Sequence, residues 1–401
     1  MLKQNLGVSV FIMALAVSVN SVGQNVRQEE IDKQNKIFQQ SWGQDLIWKF
    51  ADLPTRGAVE KFRMPYSGYI YPDTHGGTIS AMQKYDRAFH RGRSRAAAWE
   101  RWDTTAQREP VTMTYFRGGR GFFGGGGRSY TVTQLATPYW HGHCNGWAAA
   151  AIRHSEPLQS VRRNGVTFTP SDIKALLAEI YIYTEPHYLG GEFDYVVDPG
   201  TLHVMMANWI GRLSHPIAME STPGKEKWNY PIYAYTTSHA KHGGGRVEVK
   251  MNIAYSNYIQ QELDQSPHYK LVKYFHYSLE LNDNGEIVGG WYYNDSSRID
   301  LLWAALQPKP GGKAGNERGN PHVDIDTVLA IWRESVPEDT RDKWANIDPT
   351  EVDMTPAQRL AAAERARAEL AVTTAASPDA LSESGASEAR VEAATSEADE
   401  E

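Results

Sequence analysis

The stretch that most constrains this chain is residues 139–153, where an aromatic, glycine-containing loop meets an alanine run. Cys144, the only cysteine in the chain, lies between them. This pattern predicts a helix that begins at the cysteine. A thiol at a helix N-terminus lies at the positive end of the helix dipole, which favours the thiolate. We therefore expect Cys144 to be a nucleophile with a lowered pKa, the alternative being a small buried apolar residue.

The N-terminal 23 residues predict a secretory signal peptide. Lys3 supplies a basic start, residues 6–19 are largely apolar, and small residues precede Gln24. A span of the bilayer needs about 20 apolar residues, so we expect no stable membrane insertion, although a retained anchor is an alternative. The protein is then secreted or periplasmic. An unpaired cysteine is prone to oxidation there, which favours a reactive role for it.

Composition excludes several classes of protein. The 401 residues include 41% hydrophobic residues, which is enough for a sizeable core. The net charge is −7 and no basic tract is present, so we expect no nucleic-acid partner. A single cysteine excludes an intrachain disulfide and a cysteine-rich zinc site. The 12 Trp, 21 Tyr and 11 Phe suit a filled core or a groove for extended chains.

Changes in composition along the chain predict five segments. Residues 377–401 are acidic and have almost no large apolar residues, so too little burial is available there to offset the entropy of ordering. The expected segments are a signal peptide (1–23), a polar leader that is a candidate pro-segment (24–62), a catalytic domain (63–350), a helical extension (351–376) and a disordered acidic tail (377–401).

Periodicity and turn residues predict mixed secondary structure. The predicted helices are 79–89, 96–103 and 172–183, the last begun by Thr169-Pro170-Ser171, and the predicted strands are 228–235, 246–255, 274–281 and 287–293. The turn 282–285 joins the last two strands as a hairpin. Seven glycines between Arg117 and Arg128 do not match a phosphate loop, and predict a surface loop or a lid beside Cys144.

A cysteine nucleophile needs a base and a group that orients the base. His203 opens an apolar run and Glu220 closes the next one, so two strands in a hairpin would set them side by side. A helix over 202–210 is the alternative. Further candidates for the orienting role are Asn208, Asn294 and Asp295. We expect the neighbouring His141 and His143 to be loop residues.

Metal-ligand motifs are weak in this sequence. His141 and His143 offer two nitrogen ligands, but no His-Glu-x-x-His motif accompanies them. Asp283-Asn284-Gly285 lacks the remainder of a calcium loop and predicts a plain hairpin turn. We expect no cofactor.

Several stretches, in consistent order, resemble the transglutaminase elicitor family of oomycetes and bacteria. The segment Tyr139-Trp140-His141-Gly142-His143-Cys144-Asn145-Gly146-Trp147 is similar to its nucleophile motif, and Gly200-Thr201-Leu202-His203 to its histidine segment. Lys227-Trp228-Asn229-Tyr230-Pro231-Ile232 resembles the surface segment that plants perceive as an elicitor. The similarity extends over residues 64–303.

The resemblance implies an α+β fold with a transglutaminase- or papain-like core, in which a helix headed by Cys144 packs on an antiparallel sheet. It also implies a protein-glutamine gamma-glutamyltransferase. Cys144 would form a thioester from a glutamine side chain of a protein or peptide, and a lysine or other primary amine, or water, would resolve it. His203 would be the base and Glu220, where Asp is commoner, would orient it. Trp140, Trp147 and Asn208 would bind substrate.

The resemblance leaves the calcium dependence and the type of reaction open. Calcium dependence is a feature of some transglutaminases, and no site for calcium is recognisable in this sequence. A papain-like cysteine peptidase or amidase would use the same residues, and a catalytically degenerate, elicitor-like surface binding protein would retain the segments without the chemistry.

Overall fold

The computed structural model describes residues 24–25, 28–106, 108–117, 128–184, 186–191, 196–312, 318–345, 361 and 364. The predicted signal peptide, residues 118–127 of the glycine-rich run, nearly all of the helical extension and the acidic tail lie outside the described residues.

The helices of the described part are α1 (Gln28–Trp42), α2 (Ile79–Phe89), α3 (Ala96–Ala106), α4 (Cys144–Arg153), α5 (Pro170–Tyr181), α6 (Pro199–Met205), α7 (Ile325–Ser335) and α8 (Glu338–Ala345). The strands are β1 (Gln24–Asn25), β2 (Arg56–Ala58), β3 (Glu109–Arg117), β4 (Arg128–Ala136), β5 (Val161–Arg163), β6 (Val166–Phe168), β7 (His187–Gly190), β8 (Ile217–Glu220), β9 (Asn229–His242), β10 (Arg246–Ser256), β11 (Lys270–Leu281), β12 (Ile287–Tyr292) and β13 (Leu301–Ala304).

Nine of the described strands form one antiparallel sheet, so the predicted α+β class is confirmed. Its order is β1-β12-β11-β10-β9-β8-β13-β7, with β2 added along β9. Two smaller pairs, β3 with β4 and β5 with β6, stand apart from it. The centre of the sheet therefore places β9, β8 and β13 side by side.

Local sequence rules account for several element boundaries. Thr169 caps α5 through a capping box with Asp172, and Pro170 occupies the first turn, as predicted. In the hairpin between β11 and β12, the Asn282 side chain accepts hydrogen bonds from the backbone N–H groups of Asn284 and Glu286. Gly285 has a φ of 79°, which explains the glycine at the end of this turn.

Both faces of the sheet are covered by helices. Met219 and Leu302 contribute to one core, which also contains the buried side chains of α1, α6 and β9–β12. Ala218, Leu301 and Trp303 contribute to a second core, with α2, α4, α5 and α7. Neighbouring residues of one strand point to opposite faces, so β8 and β13 are buried on both sides.

The polar leader predicted at 24–62 contributes to the first core. Phe38 and Trp42 of α1 are fully buried and make edge-on aromatic contacts with Trp209. β2 extends the sheet along β9, and Lys49 forms a bridge with Glu286. The described part of this segment is thus packed against the remainder of the chain.

The predicted strand that begins at His203 is wrong. Residues 199–205 form α6, and a π-helical stretch, Met206–Arg212, continues it. Asp198 caps α6 by accepting hydrogen bonds from the N–H groups of Gly200 and Thr201, and Pro199 fits the first turn. Asp-Pro at 198–199 was the available signal for a helix start.

No described helix is both long enough and apolar enough to cross a bilayer.

We expect Gly146→Ala to lower the free energy of unfolding by about 1–3 kcal/mol, because a Cβ there would lie 2.2 Å from the carbonyl oxygen of Ala178 in α5. Gly243→Ala is the matched control, since its Cβ would meet no atom within 4 Å. Thermal unfolding of both variants tests this. Equal melting temperatures would contradict the close approach of α4 and α5.

Candidate active site

Cys144 is the first residue of α4, as predicted, and its side chain is buried in a small apolar cluster with Tyr66, Ile70 and Trp147. The preceding loop is held against residues 70–73: His143 N–H donates to Ile70 O, and Asp73 N–H donates to His141 O. Gly142 is required in this loop, because a Cβ would lie 2.7 Å from Ile70 O. The backbone on both sides of the thiol is therefore fixed.

A cavity of about 420 Å³ opens beside the thiol. Its size falls within the range of small-molecule pockets. It is lined by residues from the loop before α4, the segments around β7 and β13, the β8–β9 region and two distant side chains: Glu109, Trp140, His141, Gly142, Cys144, Asn145, Thr184, Pro186, Tyr188, Glu220, Lys227, Asn229, Leu301, Trp303 and Arg318.

Asn229, the first residue of β9, forms a side-chain hydrogen bond with the thiol. Its Nδ2 donates to Cys144 Sγ at 3.6 Å, and Sγ donates to the carbonyl oxygen of Lys227 at 3.5 Å. Asn229 Oδ1 accepts from the indole N–H of Trp303 at 2.9 Å. An indole N–H only donates, so this contact fixes the amide with its NH₂ group toward sulfur. Asn229 was missed in the sequence because an amide beside a thiol has no sequence signature.

Glu220 lines the same cavity on the adjacent strand, in the row that pairs Asn229, Glu220 and Leu301 across β9, β8 and β13. Its Oε1 accepts from the N–H of Trp228 at 2.7 Å. Burial and a hydrogen bond to Asp300 raise the pKa of Glu220 to about 8. Asp300 in turn forms an ion pair with Lys227. Glu220 therefore holds the 227–229 backbone that touches the thiol.

His141 is the imidazole of this cavity, although its sequence position predicted only a loop role. Its Nδ1 is buried and has no hydrogen-bond partner in the described part of the chain. Its Nε2 lies 3.8 Å from Glu109 Oε1. Burial lowers the pKa of His141 below its usual value, so the ring is neutral near pH 7. A neutral imidazole can accept a proton.

His143 faces away from the cavity, into a fully buried ionic cluster. Its Nε2 lies 3.1 Å from Glu179 Oε2 and 3.5 Å from Glu100 Oε1. Burial alone would lower the pKa of His143, but the two carboxylates outweigh it and raise the pKa to about 9. Burial, together with Glu179, raises the pKa of Glu100 to about 8. His143 is thus a structural imidazolium next to Cys144 in the chain.

The three residues of this cluster also place one potential ligand atom each within 4.8 Å of one another. Thr78 donates to both carboxylates, through its hydroxyl to Glu179 and its N–H to Glu100. A protonated His143 lies between the two carboxyl groups, whereas Glu100 Oε2 and Glu179 Oε1 have no hydrogen-bond partner among the described residues. The rings of His141 and His143 lie in different environments, His141 in the cavity wall and His143 in the buried cluster.

His203, the predicted base, lies in the first core rather than beside Cys144. Its side chain is 3% exposed, its Nδ1 is 2.8 Å from the Tyr277 hydroxyl, and its ring packs on Phe50. It does not line the cavity and shares no hydrogen bond or ion pair with Cys144 or Glu220 among the described residues. The predicted hairpin pairing of His203 with Glu220 is wrong, because α6 carries His203 into the core on the other face of the sheet.

The remaining predicted site residues divide between cavity and core. Trp140 lines the cavity. Trp147 is 2% exposed and donates its indole N–H to Tyr66 O, and Asn208 is fully buried and hydrogen-bonds both backbone polar groups of Ile47. Asn294 is exposed and lines no part of the cavity, and Asp295 pairs with His276.

The expectation of a lowered thiol pKa is also wrong. Burial raises the pKa of Cys144 above its ordinary value, and Glu220 adds to this, whereas hydrogen bonds from Asn229 and Asn145 oppose it. Desolvation thus outweighs the helix dipole for a side chain with 7% exposure. The resting thiol is therefore protonated near neutral pH.

Comparison with known proteins fits this geometry. Residues 125–189, which contain Cys144, α4 and α5, match the family model described as transglutaminase elicitor. The resemblance to this family is confirmed. The fold is similar to the crystal structure of the GP42 transglutaminase from Phytophthora sojae, with a TM-score of 0.58 and 22% identity, over 78% of this chain and 99% of that one. The chain therefore has a transglutaminase-like fold. None of the curated proteins matches it significantly.

We expect His203→Phe to make folding less sensitive to acid. Burial lowers the pKa of His203 to about 3, so the unfolded state takes up its proton first as the pH falls below about 6.5, and stability is lost from there toward pH 3. Phenylalanine keeps the ring packing and removes the titration. Melting temperatures between pH 7 and 4 test this, with the exposed His268→Phe as control. Parallel curves for wild type and His203→Phe would contradict it.

We expect Glu220→Gln to lower the pKa of Cys144, because the ionised Glu220 opposes thiolate formation. Glutamine keeps an acceptor for the Trp228 N–H. The rate of alkylation by iodoacetamide, measured against pH, reports the thiolate fraction. The midpoint pH of alkylation should lie above about 8.5 for the wild type and at a lower pH for Glu220→Gln. Glu109 is another carboxyl of the cavity, and Glu109→Gln should leave the midpoint unchanged. A midpoint unmoved by Glu220→Gln would refute this coupling.

Proposed function

We propose that this protein is an exported protein-glutamine gamma-glutamyltransferase with Cys144 as nucleophile. The observation that carries the proposal is the single cysteine at the first turn of α4, lining a cavity and held by the Asn229 amide. The family match around this residue and the transglutaminase-like fold support the same reaction class. The sequence of residues 1–23 supports export.

In the proposed reaction, His141 takes the thiol proton as Cys144 Sγ attacks the carboxamide carbon of a substrate glutamine. Cys144 Sγ and His141 line the same cavity, and the neutral ring has an unpartnered Nδ1. The carbon–nitrogen bond then breaks, the proton passes to the leaving group, and ammonia departs from a thioester. A lysine amine resolves the thioester to an isopeptide, or water resolves it to glutamate.

Asn229 has two roles in this proposal. Its side-chain N–H donates to sulfur and opposes the effect of burial on the thiol pKa. As sulfur bonds to carbon, the same donor is placed to stabilise the negative oxygen of the tetrahedral intermediate, together with the N–H of Cys144. The Trp303 indole keeps the amide in the required orientation. Glu220 acts as a positioning residue through the Trp228 N–H.

We expect Cys144→Ser to abolish incorporation of a fluorescent primary amine into a glutamine-donor protein, and His141→Gln to lower kcat by about 10²–10⁴. His203→Phe should retain activity, because His203 lies outside the cavity. Activity of the wild type should fall as the pH drops below the lowered pKa of His141, and His141→Gln should lose this acid limb.

Amine labelling and peptide cleavage, measured in the same reaction, distinguish a transferase from a peptidase or amidase and from a surface binding protein. Labelling that depends on Cys144 without peptide cleavage supports transfer. Peptide cleavage without labelling would identify a peptidase or amidase instead. No turnover with amine or water, in a folded protein whose thiol still alkylates, would favour a surface binding protein that has lost the chemistry. If His203→Phe folds as the wild type does but has no activity, His203 rather than His141 is the base.

A further inference from the structure

Strands β3 and β4 form a two-stranded ribbon that no other described strand joins. The register pairs Glu109 with Ala136 at its base and Arg117 with Arg128 at its far end. Each strand therefore presents one outer edge whose backbone N–H and C=O groups have no strand partner in the described part of the chain. Such an edge is a template for an added strand.

The two faces of this ribbon differ in chemistry. Residues opposite each other in an antiparallel pair lie on the same face. The apolar face carries Val111, Met113, Tyr115, Tyr130 and Val132, and the threonine face carries Thr112, Thr114, Thr131 and Thr133. On the apolar face the Tyr115 and Tyr130 rings stack with centroids 5.4 Å apart.

The apolar face is exposed in the described part of the chain. Tyr115, Tyr130 and Val132 are 41%, 52% and 38% exposed. A two-stranded ribbon is marginally stable alone, and a third strand with apolar contacts stabilises it. Contiguous exposed apolar residues of this kind mark interaction sites. The threonine face also carries Pro110 and Leu135 at the base of the ribbon, and Leu135 is 67% exposed. The middle of that face is formed by the four threonines, so Thr112 and Thr133 provide a matched control for the apolar positions opposite them.

The base of the ribbon is part of the cavity wall. Glu109, the first residue of β3, lines the cavity, and the chain that leaves β4 at Ala136 reaches the cavity wall at Trp140. A cavity of about 420 Å³ holds a glutamine side chain but not the polypeptide that carries it. The flanks of a polypeptide substrate must therefore run outside the cavity, and the side that contains Glu109 leads onto the ribbon.

We propose that the apolar face and outer edge of this ribbon bind an extended segment of the glutamine-bearing substrate, with aliphatic or aromatic side chains at alternate positions. Added as a third strand, the segment would pair its backbone with the open edge and place every second side chain against Tyr115, Tyr130 and Val132. This inference rests on the proposed function, and names the class of acyl donor that the same site takes.

The test compares a long and a short glutamine donor with the full chain. The long donor is a peptide whose flank alternates valine and tyrosine with serine, and the short donor is carbobenzoxy-glutaminyl-glycine, which cannot reach the ribbon. We expect Tyr115→Ser/Tyr130→Ser/Val132→Thr to raise KM for the long donor about tenfold and leave kcat and the short donor unchanged. Thr112→Ala/Thr133→Ala, on the opposite face, should change neither KM.

Three results overturn this inference. They are an unchanged KM for the long donor in the apolar-face variant, an equal rise for both donors, or an equal effect of the threonine-face variant. A change in sedimentation mass without a change in KM would assign the face to a second copy of the chain instead.

A failure of the proposed function is distinguishable from these results, because then neither donor is turned over by the wild type. In that case the fluorescence anisotropy of a labelled long donor with the Cys144→Ser protein measures binding alone. Equal dissociation constants with and without the three ribbon substitutions would remove the docking proposal.

Discussion

The position of the thiol depends on the close packing of α4 against α5 and the central strands. Gly146 lets α4 approach the carbonyl oxygen of Ala178, and the small side chains at 148–151 are completely buried. Larger residues would push the helix away from β8 and β9. Because the helix lies so near the sheet, its first residue contacts Asn229 and lines the same cavity as Glu220, and these two residues occupy one row of the ladder. The cavity is a consequence of this contact.

Close packing also sets the electrostatics of the site. Removing water raises the pKa of Cys144 and of Glu220, so the groups around the thiol are mostly neutral at rest. Next to the thiol in the chain, the protonated His143 lies between Glu100 and Glu179 and offsets the cost of burying these two acids. In the reaction that we propose, Cys144 would therefore start as a thiol, and His141 would have to accept its proton.

Three histidines show what the sequence could and could not predict. The sequence indicates a helix at Cys144, the start of α5 at Thr169-Pro170, the hairpin at 282–285 and the strands β9 to β12, because these rest on contacts between near neighbours in the chain. His141, His143 and His203 are the same residue type, and no local pattern distinguishes a cavity, an ionic cluster and an apolar core. Their partners, such as Glu179 and Tyr277, are distant in sequence. The predicted base was wrong in position for this reason.

The sequence by itself determined the position of Cys144 at the start of a helix and the family resemblance, since a lone cysteine between an aromatic loop and an alanine run is a local signal. Only the tertiary structure decided which side chains surround the thiol. Asn229, Glu220 and Trp303 come together because β9, β8 and β13 pair in the sheet. Trp303 follows Cys144 by 159 positions in the sequence. Burial, which reversed the expected pKa of the thiol, is likewise a property of the packed fold and has no local sequence signal.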